Sequence, residues 1–125
     1  MKYVYYNPNR KSSSAGDCAI RAVSKALNID WDKSYALIVV SGFRLGNVPT
    51  ADSVWGSVLR MRGFTKHTLP NTCPDCYTVK DFCLDHPKGT YVLGTGNHAV
   101  AVVDGDYYDL WDSGNEIPIY YWRKE

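Results

Sequence analysis

The sequence predicts an α+β domain, with helices first and an antiparallel sheet last. Three observations carry this. Apolar residues recur at helical spacing from Cys18 onward, as in Ile20, Val23 and Leu27. After the turn His86-Pro87-Lys88-Gly89 the period changes to short runs rich in Val, Ile, Tyr and Trp. Between two of those runs stands Asp104-Gly105, a strong signal for a two-residue hairpin turn. Helices followed by consecutive strands belong to α+β rather than to alternating α/β architecture. The chain of 125 residues is expected to form one domain, 1–125.

Residues 1–6 alternate weakly and suit a sheet edge. Asn7 to Gly16 carries Pro, Asn, Ser and Gly, which is loop chemistry. Asp17 stands where an N-cap belongs, and a helix is predicted from Cys18 to Leu27. A second helix is predicted from Asp32 to Gly42, with acids in its first turn and an apolar face of Tyr35, Leu37, Ile38 and Val39. A third starts at Thr50-Ala51-Asp52-Ser53, and Gly63 ends it. Phe64 to Leu69 reads as a strand, Pro70 to Pro74 as a loop and Thr78 to Leu84 as a short helix. Strands are then predicted at Thr90–Leu93, His98–Val103, Asp106–Trp111 and Ile117–Trp122.

Composition narrows the function classes. A net charge of +1 implies no strong pull toward nucleic acid or a membrane surface. No stretch approaches the roughly 18 apolar residues of a membrane span. The start, Met1 to Asn9, lacks the apolar core of a signal peptide, so a cytoplasmic location is expected. In that setting the four cysteines read as thiols, a metal site or a reactive group rather than as two disulfides.

The chemistry concentrates in three places. Cys18 opens a helix, where unpaired N–H groups favour the thiolate. His98 opens the run His98-Ala99-Val100-Ala101-Val102-Val103. An imidazole beside a thiol can take its proton, and a third group must hold the imidazole. With Asp104-Gly105 as a two-residue turn, Val103 faces Asp106, Val100 faces Asp109 and His98 faces Trp111. Alternation then puts His98 and Asp109 on one face and Asp112 on the other. This selects Asp109 as the residue that orients His98. A slip of one residue would select Asp112 instead.

These residues resemble the papain-like cysteine peptidase superfamily. Its members carry Cys at the start of the central helix and, much later, a His that opens a strand, as His98-Ala99-Val100-Ala101 does here. Their third residue is usually Asn, followed by x-Trp, and Asp109-Leu110-Trp111 fits that slot with Asp for Asn. Over nearly its whole length the chain also resembles small uncharacterised papain-like proteins of gut bacteria and their phages. The shared layout is Asn7-Pro8, Gly16-Asp17-Cys18 and Trp111-Asp112-Ser113-Gly114. The resemblance implies a papain-like fold and a Cys18–His98–Asp109 triad in a cysteine protease or related thiol amidohydrolase. It implies a peptide or protein substrate and no cofactor. A non-enzymatic binding module on that fold and an acyltransferase with the same triad are the alternatives. One feature departs from the superfamily. The Gln that usually completes its oxyanion hole is absent, since the chain contains no Gln. Asn7 and Asn9 are the upstream amides, and Asn7 is the preferred candidate for that role.

A second cluster, Cys73-x2-Cys76-x6-Cys83-x2-His86, has the residue types of a tetrahedral zinc site. Its knuckles lie close together and Cys83 falls within a predicted amphipathic helix, so structural thiols are the favoured reading and no metal is assigned.

Overall fold

Six strands and four helices follow one another as β1 (Tyr3–Tyr5), α1 (Cys18–Leu27), α2 (Trp31–Leu45), α3 (Asp52–Arg60), β2 (Phe64–Thr68), α4 (Val79–Asp85), β3 (Thr90–Gly94), β4 (Ala99–Val103), β5 (Asp106–Asp109) and β6 (Tyr120–Lys124). The description rests on a computed structural model of residues 1–125. The architecture is α+β.

The strands form one sheet in the order β1-β5-β4-β3-β6-β2. Helices α1 to α3 cover one face, where Val23, Ile38, Val58 and Leu59 meet Val92, Ala101 and Trp122. Helix α4 covers the other, where Phe82 and Cys83 meet Leu93, Val100, Val102 and Tyr107. Adjacent residues of β4 thus serve opposite cores, with Ala99 and Ala101 toward α1 and Val100 and Val102 toward α4. A strand buried on both faces reads as an unbroken apolar run. Each such Val contributes on the order of 1.5–3 kcal/mol of burial.

The hairpin reading holds. Asp104 and Gly105 have φ of 50° and 80°, the two positive values a type I′ turn requires. Val103 faces Asp106 and Ala101 faces Tyr108, which is the register inferred from that turn. The sheet, however, is mixed rather than antiparallel. β1 runs parallel to β5, with Tyr3 beside Tyr107 and Tyr5 beside Asp109. The β4–β5 hairpin leaves the outer edge of β5 open, and the N-terminal strand covers it. That pairing continues past the strand, where the Tyr6 N–H donates to the Asp109 carbonyl at 2.9 Å. The chain is thereby released toward α1 at the end of β5.

Three boundaries moved. Gly42 does not end α2. The helix continues to Leu45 and closes at Gly46, which takes the left-handed conformation with φ 69°. Gly42 serves close packing instead, because a Cβ there would lie 2.8 Å from the Asn47 carbonyl oxygen of the returning chain. β5 stops at Asp109 rather than Trp111, and His98 precedes β4 rather than opening it. No helix is long and apolar enough to cross a membrane.

Candidate functional site

The N-terminus of α1, the residue before β4 and the last residue of β5 meet at one end of the sheet. They bring Cys18, His98 and Asp109 together. His98 Nε2 lies 2.6 Å from Asp109 Oδ2. Asp109 leaves the other ring nitrogen, Nδ1, free, and Cys18 lines the same cavity as His98. The Trp111 ring sits 5.0 Å from that of His98, centroid to centroid, and covers its flank.

Asp109 is fully buried, and its carboxylate is saturated. Oδ2 accepts from His98 and from Ser113 Oγ at 2.7 Å, while Oδ1 accepts from Arg21 Nη2 at 3.0 Å and the Leu110 N–H at 2.8 Å. Burial pushes this carboxyl up. The bonds from His98 and Ser113, the charge of His98 and the Leu110 N–H outweigh it and hold Asp109 below the usual carboxylate range.

His98 shows the complementary effect. Burial disfavours its charged form, but the Asp109 and Cys18 hydrogen bonds and charges raise it to about 9. Burial likewise pushes the Cys18 thiol up. The His98 bond, the Ala99 N–H and the charges of His98 and Arg21 reverse that and lower it. All three directions favour a thiolate–imidazolium pair braced by a carboxylate.

Sequence reasoning passed over Arg21, which joins the site from below. It is 3% exposed and bridges two carboxylates, with Nη1 2.7 Å from Asp17 Oδ1 and Nη2 3.0 Å from Asp109 Oδ1. The signal was present as an i, i+4 Asp–Arg pair in the same helix as Cys18. In the sequence Ser113 stands out only as part of the Trp111-Asp112-Ser113-Gly114 layout. Its burial and its bond to Asp109 are tertiary facts.

Asp17 is not the side-chain cap the sequence suggested. It occupies the N-cap position, but its carboxylate makes no bond to a helix N–H. It is drawn inward, where it accepts from Arg21, Trp31 Nε1 at 2.9 Å and Asn9 Nδ2 at 3.3 Å. A buried guanidinium and an indole are better partners for a carboxylate than one amide of an open helix turn. The first N–H groups of α1 therefore keep their capacity to donate beside Cys18.

Asn7 is not brought to the site. Its Nδ2 donates to the Ser12 carbonyl at 3.2 Å and its Oδ1 accepts from the Asn9 N–H, so the amide folds the 7–12 loop onto itself. Short Asn side chains that hold their own loop in this way are ordinary turn chemistry. Asn9 is likewise engaged, with Asp17. Asp112 stands apart from the triad as expected, but not through strand alternation. The strand has already ended, and Asp112 accepts from Tyr107 Oη and from the Gly114 N–H at 3.0 Å.

The zinc candidates do not converge. Cys73 and Cys76 are joined as a disulfide, where thiols were expected, because the loop closes until their Cα atoms are 4.2 Å apart. The Asn71 side chain, which accepts from the Cys73 N–H, holds that closure. Cys83 is buried in the core beneath α4, where burial raises its thiol to about 11. His86 Nδ1 is 2.8 Å from the Phe82 carbonyl, and its ring stacks on Phe82. No three His, Cys, Asp or Glu side chains are grouped to hold a metal ion.

A cavity of about 270 Å³ opens beside Cys18 and His98. Its apolar wall is formed by Ile20, Ile38, Pro49 and Trp55, and Asp52 and Asn97 stand on its polar side. An activated thiol beside a cleft of this kind can attack an electrophilic carbon held against it. No family model, curated protein or solved structure matches this chain.

Proposed function

We propose that this protein is a papain-like thiol hydrolase that cleaves a peptide, isopeptide or amide bond through an acyl-enzyme. The observation that carries the reading is the bond of 2.6 Å between His98 Nε2 and a fully buried Asp109, with Cys18 at a helix start lining the same cavity as His98. A carboxylate on one side and a lowered thiol on the other is the arrangement that nucleophilic catalysis requires.

In this reading the Cys18 thiolate adds to the carbonyl carbon, and the carbonyl π electrons move onto oxygen. The oxyanion lies at the N-terminus of α1, where the Cys18 N–H donates. His98 gives its Nδ1 proton to the leaving amine as the C–N bond breaks. A water molecule then loses a proton to His98, adds to the thioester and releases the acid and the thiol. Asp109 stays ionised throughout and holds the ring. The same steps with an amine in place of water would make the protein an acyltransferase.

The test is a mixture of peptides incubated with wild-type protein and with Cys18→Ala, and read by mass spectrometry. Cleavage, or amine-dependent transfer, by the wild type and none by the variant is expected, with the two proteins melting at similar temperatures. Turnover that persists in Cys18→Ala overturns the mechanism.

A further inference from the structure

We propose that Asp52 selects substrates that carry a cationic group next to the scissile bond, such as a lysine or arginine side chain. The inference rests on the preceding reading of Cys18 as the nucleophile and adds the chemistry of the substrate.

Asp52 is the first residue of α3, and it lines the same cavity as Cys18 and His98. Its carboxylate is aimed rather than free to turn, because Tyr120 Oη donates to Oδ2 at 2.8 Å. Tyr120 is itself 7% exposed and stacks on Trp55, so the bracing comes from the core. The first turn of a helix favours negative charge, so the position suits an ionised carboxylate.

The charges around the cavity leave Asp52 uncompensated. Asp17 also lines it, but Asp17 is ion-paired with Arg21, which it shares with Asp109. Cys18 and His98 offset each other. Asp52 forms no ion pair, since the five in the protein involve other residues. Lys66 Nζ rests over the Tyr120 ring, 4.3 Å from its centroid, and is occupied there. Asp52, with Oδ2 held by Tyr120, therefore lines a cleft whose apolar wall is Ile20, Ile38, Pro49 and Trp55. That combination fits a side chain with an apolar stem and a positive tip, which lays methylenes on the wall and an ammonium or guanidinium on Asp52.

Charge selection at Cys18 can be read without knowing the substrate. Three methanethiosulfonates of different charge would be reacted with the protein: a cationic aminoethyl, an anionic sulfonatoethyl and a neutral methyl reagent. In each case the Cys18 thiolate attacks the sulfenyl sulfur, a disulfide forms and methanesulfinate leaves. Rates are taken relative to the neutral reagent on each protein. The cation-to-anion ratio is expected to fall by roughly five- to tenfold in Asp52→Asn, the scale of one partly screened ion pair, and further in Asp52→Lys. An unchanged ratio in both variants overturns the inference.

A peptide library read by mass spectrometry separates the sources of the cation. Enrichment of internal Lys or Arg beside the cut, lost in Asp52→Asn, supports the proposal. Enrichment confined to free N-terminal amines and abolished by acetylation overturns the side-chain assignment. Cleavage with no charge preference overturns it while leaving the hydrolase reading intact. A library left uncut fails that reading instead, and the reagent ratio still decides the role of Asp52.

Discussion

Replacing Asp109 with Asn should disable Cys18 by putting the His98 proton on the wrong nitrogen. The carboxylate receives four donors, from His98, Ser113, Arg21 and Leu110, so all its acceptor sites are used. An amide has only one oxygen to offer. If that oxygen faced His98, the NH2 would meet Arg21 Nη2 and the Leu110 N–H, setting donors against a buried cation. The amide will therefore turn its oxygen to Arg21 and its NH2 to His98 and Ser113. The Ser113 hydroxyl can rotate to accept. His98 Nε2 can accept only when it carries no proton, which moves the single proton to Nδ1, beside Cys18.

The imidazole can then no longer take a proton from the thiol. The equivalent change in a serine triad lowers turnover about 10⁴-fold through the same tautomer error. His98 stands at about 9 against an ordinary 6.5, a preference for the charged ring of roughly 3 kcal/mol, and Asp109 heads its favourable causes. Losing most of it reduces the thiolate–imidazolium population by on the order of a hundredfold. The assay is the rate of Cys18 alkylation by iodoacetamide near neutral pH, with the His98 tautomer followed by ¹⁵N NMR. Asn is preferred to Ala because Ala would take away the acceptor of the buried Arg21 Nη2 and leave Arg21 only its pair with Asp17. Alkylation of Asp109→Asn at the wild-type rate, with an unshifted pH profile, would refute the reasoning.

Other outcomes follow from the same geometry. Alkylation-competent ion pair should appear below the usual thiol range and fade as pH rises through about 9, where His98 loses its proton. The stability that His98 gains from its partners has the same sign. It is fully present below about 6.5 and lost as pH passes about 9, so the melting temperature should drop across that alkaline window. Asp112→Ala should leave Cys18 alkylation nearly unchanged and lower the denaturant midpoint, because the Tyr107 hydroxyl and Gly114 N–H lose their acceptor. An alkylation rate that falls with Asp112→Ala as it does with Asp109→Asn would place Asp112 in the triad. Native protein without reductant should be alkylated at Cys18 only. Cys83 should react after unfolding, and Cys73 and Cys76 after reduction, so native labelling of Cys83 would contradict its burial.

Local chemistry was enough to single out Cys18, His98 and Asp109, which the fold brings together. Cys18 at a helix start, His98 at the head of an apolar run and Asp109 across a turn are all signals of short range. The Asp104-Gly105 turn set the β4–β5 register because only a type I′ geometry suits those residues, and register follows from turn length. The separation of Asp112 from Asp109 was expected from strand alternation but comes from the turn after β5, where Asp112 binds Tyr107 and Gly114.

What only the tertiary structure decided is what surrounds those groups. The parallel pairing of β1 with β5 depends on which sheet edge remains open after the hairpin forms, and 1–6 alone carry no such information. Asp17, Asn7 and the CxxC each have several partners compatible with their sequence neighbours. Asp17 went to Arg21 rather than to the helix amides, Asn7 to Ser12 rather than to the cleft, and Cys73 to Cys76 rather than to a metal. Arg21 and Ser113 entered the site, and Asp52 was aimed into the cavity, through contacts 88, 4 and 68 residues apart in the chain. A polar side chain takes the best partner that packing puts within reach, and for most of these groups that partner is set by the fold rather than by the neighbouring residues.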